Sequence, residues 1–163
     1  MSDSATVVIG IGNEWRGDDG VGPFVVKKLC EQSLPRVRMV PNVADGLDLL
    51  DAWCEADCVY IIDALQSGAT PGTTVRVDAL RETLPTSTTY SSHTFGLAEA
   101  VELSRTLNTL PKQLIVIGIE GSDFSMGAPI TPAVEHAAQQ LVVQLAAELR
   151  SFAAQAAQAA QAN

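Results

Sequence analysis

The chain is poor in cations: Lys and Arg total 10 against 19 Asp and Glu, a formal charge of −9 with a pI near 4.5. Such an acidic field repels phosphate backbones and anionic lipid, which excludes nucleic acid and membrane surfaces as partners. Cysteine is scarce and odd in number, with Cys30, Cys54 and Cys58 alone. No disulfide framework follows, and three reduced, mostly buried thiols are expected. Cys54 and Cys58 are spaced to share a helix face, but no second Cys/His pair with zinc spacing accompanies them. No apolar run is long enough to span a bilayer. Residues 1–5 lack the basic-then-apolar order of a secretory leader, so a cytoplasmic protein is expected.

Several catalytic signatures are missing as well. There is no Gly-x-x-x-x-Gly-Lys-Ser/Thr loop, no Gly-x-Ser-x-Gly elbow and no His-Glu-x-x-His helix. Gly10-Ile11-Gly12 begins like a dinucleotide fingerprint, but Trp15 stands where the third glycine belongs. Asp18 and Asp19 would also repel a pyrophosphate at the start of the following helix.

What is present is a substantial apolar fraction, 47% of 163 residues, enough to bury one core. Residues 1–150 read as a single domain, followed by an Ala/Gln-rich tail over 151–163 that either extends the last helix or frays. Buried strands are predicted at Val7–Ile11 and Leu114–Ile119, further strands at Val37–Val40 and Val59–Ile62, and an alternating edge strand at Thr73–Val77. Helical spacing marks Val21–Leu29, Asp45–Ala56, Thr94–Leu107 and Thr131–Arg150. Alternating strands and helices imply a three-layer α/β/α sandwich on a twisted, mostly parallel five-stranded sheet, with one edge strand antiparallel.

In such a sheet, residues distant in sequence converge at the carboxyl ends of the strands. Asp18 and Asp19 lie in the glycine-rich loop after the first strand, Asp63 at the end of the third, and His93 before a helix. Carboxylates with one imidazole form a plausible divalent-metal site with open positions. Plainer readings stand beside this one. Asp18 or Asp19 could cap the first helix, Asp63 could hold a turn, and His93 could lie on the surface. His136 reads as a solvated or partly packed helix residue. The loop Gly121–Ile130, with Phe124, Met126 and Pro129, fits a docking lip or an ordinary surface loop equally well.

The ordered set Gly10-Ile11-Gly12-Asn13, Gly17-Asp18-Asp19-Gly20-Val21-Gly22, Asp45-Gly46, Ile62-Asp63-Ala64, Pro71-Gly72-Thr73, Ser91-Ser92-His93, Gly96-Leu97, Ile117-Gly118-Ile119-Glu120 and Thr131-Pro132 resembles the endopeptidases that mature nickel–iron hydrogenases. The resemblance spans residues 7–149. It implies an endopeptidase that removes a C-terminal peptide from the nickel-loaded precursor of a hydrogenase large subunit. It further implies that Asp19, Asp63 and His93 are both the metal-contacting and the catalytic residues. Nickel would arrive with the precursor, and the enzyme would be a monomer. Asp18 is the neighbouring acid, with no role assigned. The chain departs from the family at Glu14-Trp15-Arg16, which is usually more apolar, and at Asn42-Val43-Ala44. A non-catalytic nickel checkpoint or chaperone would use the same three ligands. A Rossmann-like nucleotide binder is the third class.

Overall fold

The computed structural model describes residues 5–43, 46–82, 84 and 96–162. Five strands form one sheet: β1 (Thr6–Ile11), β2 (Val37–Val43), β3 (Cys58–Leu65), β4 (Thr74–Asp78) and β5 (Gln113–Glu120). Their order across the sheet is β2-β1-β3-β5-β4. The first three pairings are parallel, and β4 runs antiparallel to β5 at the edge. Among the described residues four α-helices accompany them: α1 (Val21–Cys30), α2 (Gly46–Trp53), α3 (Leu97–Thr106) and α4 (Pro132–Gln161).

Strand alternation sorts the core into two layers. Val8, Tyr60, Ile62, Ile117 and Ile119 pack with buried residues of α1 and α4. Val7, Ile9, Val59, Ile61, Leu114 and Val116 pack with α2 and α3. With both faces covered, the central strands are apolar along their length, and this produces the unbroken runs seen in the sequence. The predicted three-layer, mostly parallel architecture is thus the one observed.

The differences are local and have physical causes. β2 continues through Pro41, which is tolerated because β2 is an edge strand paired only with β1. One extra β2 residue is accommodated between the pairs Ile9–Val40 and Ile11–Val43. β3 extends to Leu65, so Asp63 lies inside the strand rather than at its end. The expected starts at Asp45 and Thr94 lie outside the described residues. α4 does not stop at Arg150 but continues through the Ala/Gln segment to Gln161, as Ala-rich sequence permits. The cysteines are free, but they are not mostly buried: Cys30 and Cys54 are exposed and Cys58 is half-buried. Cys30 ends α1 one position beyond the buried Leu29, and Cys54 follows the last residue of α2. Both are therefore rotated off the apolar stripe.

α4 is tied to the edge strand by Glu148, which receives two hydrogen bonds from Arg76, at 2.8 and 2.6 Å, and one from the Tyr60 hydroxyl at 2.7 Å. The Arg76 guanidinium also lies 5.6 Å from the centre of the Tyr60 ring.

Close approach of α1 to the sheet depends on Gly22 rather than on a third glycine in the loop. A Cβ there would lie 2.3 Å from the Ile62 carbonyl oxygen and 2.5 Å from that of Ile11. Both obstacles are strand backbone and cannot rotate away. Gly22→Ala is therefore expected to destabilise the protein by about 2–3 kcal/mol, the scale of overpacking a core. A thermal melt within 2 °C of wild type, by the usual relation of roughly 2–4 °C per kcal/mol, would contradict this packing.

Candidate active site

The chain leaves β1 toward β2 on one side, and β3 lies on the other. Where connections part in this way, the loops beyond the strand ends leave a crevice. The loop after β1 delivers Asp18 and Asp19 to that rim through a short 3₁₀ turn, Gly17–Gly20, whose four residues are all buried. β3 delivers Asp63. The β1–β3 pairing ends at Gly10–Ile62, while β3 continues beside β5 with Asp63 opposite Gly118. Asp63 is thus the first β3 residue beyond its paired neighbour on β1. By alternation its side chain shares the sheet face of Val59 and Ile61, on which α3 packs.

Asp19 is buried, and its Oδ2 accepts a hydrogen bond from the Asn13 backbone N–H at 3.0 Å. Gly12 makes room for this turn: its φ is +142°, and a Cβ on it would lie 1.8 Å from the Asp19 carbonyl oxygen. Asp63 accepts the Ala64 N–H on Oδ1 at 2.8 Å. Burial, reinforced by the negative charge of Asp19 and only partly offset by the Ala64 N–H, pushes the Asp63 carboxyl up to about 7. Asp19 and Asp63 thus lie at the carboxyl ends of the adjacent strands β1 and β3. His93 lies outside the described residues, four positions before α3 in the chain. Among the described residues no group of three metal-ligating side chains is formed.

Asp18 has a different part, one that sequence reasoning missed. It is fully buried and caps neither the 3₁₀ turn nor α1. Its Oδ2 accepts the backbone N–H groups of Ser122, at 2.7 Å, and Asp123, at 3.0 Å, with the Ser122 hydroxyl at 3.4 Å. Its Oδ1 accepts the Thr131 N–H at 2.7 Å, and the Thr131 hydroxyl lies 3.0 Å from both oxygens. Thr131 immediately precedes α4 and makes no side-chain cap of its own. Asp18 therefore places its negative charge at the N-terminus of α4, where the helix dipole favours it, and binds the β1 loop to the β5 loop. The two adjacent acids divide: Asp18 fastens the β5 loop, and Asp19 fastens the turn at Asn13. Only their partners distinguish them: those of Asp18 lie over 100 residues away in the chain, whereas Asp19 holds Asn13, six residues before it.

Glu120, the last residue of β5, makes a second buried anchor. It accepts the Ser67 N–H and hydroxyl, each at 2.8 Å, and the Gly68 N–H at 2.9 Å. This holds the segment that leaves β3 two residues after Asp63. A polar residue closing an apolar strand was a visible signal, but its partner was not. His136 is exposed on α4, the solvated rather than the partly packed of its two expected settings.

A groove of about 490 Å³ lies at the opposite end of the sheet. It is lined by Thr6, Val37, Cys58 and Gln113, the first residues of four strands, together with Phe152 and Ala156 of α4. It shares no residue with the carboxylate rim.

Comparison with known proteins bears on this rim. A family model described as hydrogenase maturation protease matches residues 23–148. The chain is 31% identical over 154 residues to the hydrogenase expression/formation protein HupD of Thiocapsa roseopersicina, a match covering 86% of this chain and 69% of that protein. It is 28% identical over 156 residues to the hydrogenase 2 maturation protease of Escherichia coli strain K12, covering 92% and 93% respectively. Among solved structures it is similar to the hydrogenase maturating endopeptidase HybD from E. coli, with a TM-score of 0.74, 26% identity, and 91% and 93% of the two chains covered.

Proposed function

The chain belongs to the hydrogenase maturation protease family and is an endopeptidase; from that premise we propose that it removes a C-terminal peptide from the nickel-loaded precursor of a nickel–iron hydrogenase large subunit. Asp19, Asp63 and His93 are assigned as the residues that contact the metal and serve the cleavage. The observation carrying this reading is the placement of two carboxylates at the carboxyl ends of neighbouring strands: Asp19 in the buried turn after β1, and Asp63 on β3 just past the last β1–β3 pair. Two carboxylates held this way repel each other, and a divalent cation placed between them would relieve the repulsion.

The donor set suits a borrowed ion. Carboxylate oxygen and imidazole offer moderate affinity, without the thiolates that would retain nickel against another protein. The nickel travels as part of the substrate: gripped by Asp19, Asp63 and His93, it identifies a precursor that has been filled. It also acts as a Lewis acid toward the scissile carbonyl, where water adds and the amide nitrogen leaves with a proton. Glu120 and Asp18 keep the two carboxylate-bearing segments in register and touch no substrate.

Mass spectrometry of precursor incubated with the protein tests the proposal directly. A nickel-loaded precursor is expected to lose a C-terminal peptide, and a nickel-free precursor to keep it. Binding of the loaded form without shortening would overturn the proposal in favour of a checkpoint that holds nickel and cuts nothing. Equal shortening of both forms would remove nickel from the recognition step.

A further inference from the structure

Among the described residues, two large apolar side chains are exposed on the loops of the rim: Trp15, 76% exposed, and Met126, 71% exposed. Trp15 lies in the loop after β1 and Met126 in the loop between β5 and α4. The loops are laced together by backbone hydrogen bonds. Gly127 N–H donates to the Trp15 carbonyl at 2.6 Å, Gly17 N–H to that of Ala128 at 3.1 Å, and Asp18 N–H to that of Asp123 at 2.8 Å. The buried Asp18 carboxylate fastens the same junction from beneath. Trp15 and Met126 therefore form one neighbourhood built from two distant stretches of chain.

That neighbourhood is connected to the reacting rim through a single residue. The Trp15 N–H donates to Asn13 Oδ1 at 2.9 Å, and the Asn13 N–H donates to the Asp19 carboxylate at 3.0 Å. The position of Trp15 is thus set by the residue that orients Asp19. An exposed indole contributes nothing to the core, and its solvation is unfavourable until something covers it. An apolar anchor on a pre-ordered loop binds at low entropic cost, because little of its backbone freedom remains to be lost.

We propose that Trp15 and Met126 form the docking surface for the precursor and receive an apolar, extended stretch of chain next to the scissile bond. This rests on the function proposed above. The choice of occupant follows from position: a precursor that presents its metal to Asp19 must cover the loop hydrogen-bonded to that carboxylate. Trp15 is the main anchor and Met126 the adaptable second contact, since a thioether side chain conforms to irregular partners. The pair selects among precursors by the apolar residues they carry beside the cleavage point.

The test is a titration of full-length protein with nickel-loaded large-subunit precursor, read by calorimetry, alongside peptide release measured by mass spectrometry. Trp15→Ala is expected to weaken binding roughly 30-fold, the scale of a tryptophan hot spot, and to raise KM in parallel. Met126→Ala is expected to cost about 3- to 10-fold. Val143→Ala, which removes an equally exposed apolar side chain from α4, serves as the comparison and should leave both readings unchanged. Trp15→Ala binding at wild-type affinity overturns the docking surface, and so does failure of the wild-type protein to bind the precursor at all. Wild-type binding that is weakened by Trp15→Ala, without any peptide release, upholds the surface and overturns the proteolytic reading instead.

Discussion

Asp63→Asn is expected to abolish release of the precursor's C-terminal peptide, by a factor of about 1000 or more, while stabilising the free protein at alkaline pH. The two effects share one origin. In the folded chain the Asp63 carboxyl is pushed up to about 7 by burial and then by the charge of Asp19, from an ordinary value of 3.8. A folded pKa above the unfolded one means that the native state holds a proton which the unfolded state has released. Stability is therefore fully present below about pH 4, declines as pH rises, and reaches its low plateau above about pH 7. Asn nearly matches the shape of the carboxylate and can still accept the Ala64 N–H, but it carries no charge to desolvate. The variant should lack this part of the decline, a gain on the order of 2–4 kcal/mol at pH 8 relative to wild type and little at pH 4. Urea unfolding at the two pH values measures it. Asp19→Ala and His93→Ala should lose cleavage too, with unchanged circular dichroism. Wild-type turnover in all three variants would refute the assignment of the site.

The second large effect belongs to the neighbouring acid. Asp18→Ala leaves the N–H groups of Ser122, Asp123 and Thr131 without their acceptor beneath the rim, and removes the charge at the N-terminus of α4. Each unsatisfied buried donor costs about 1–3 kcal/mol, and the broken network costs more than about 3 kcal/mol altogether. For a chain of this length the melting temperature should fall by about 10 °C. Asp18→Asn should recover only part of this, since an amide NH₂ would face donors rather than acceptors. The contrast between adjacent positions is diagnostic: Asp18 substitutions lose stability first, whereas Asp63→Asn gains it and loses activity. A melt of Asp18→Ala within 3 °C of wild type would show that the latch is not structural.

Much of this architecture was readable in the linear chain. The apolar runs at Val7–Ile11 and Leu114–Ile119 could only be interior strands, because strands covered on both faces have no polar side to alternate. The candidate carboxylates were visible for a related reason: Asp63 closes the apolar run Val59–Ile62, and Asp18-Asp19 stand in a glycine-flanked loop after another such run. His93, singled out by its place before a helix and by the family resemblance, lies outside the described residues. The family resemblance carried by Gly17–Gly22 and Ile62–Ala64 is to the family the chain belongs to.

Local spacing determined the strands, the helices and which residues were candidates for chemistry, because burial periodicity and glycine placement act over a few residues. The division of labour between Asp18 and Asp19, the coupling of Asp19 to Asp63, and the joining of Trp15 to the Met126 loop were decided by tertiary structure alone. Each depends on hydrogen bonds or charge interactions between segments tens to more than a hundred residues apart. Such partners leave no periodic trace in the sequence and meet only when the crossovers bring the strand ends to one rim.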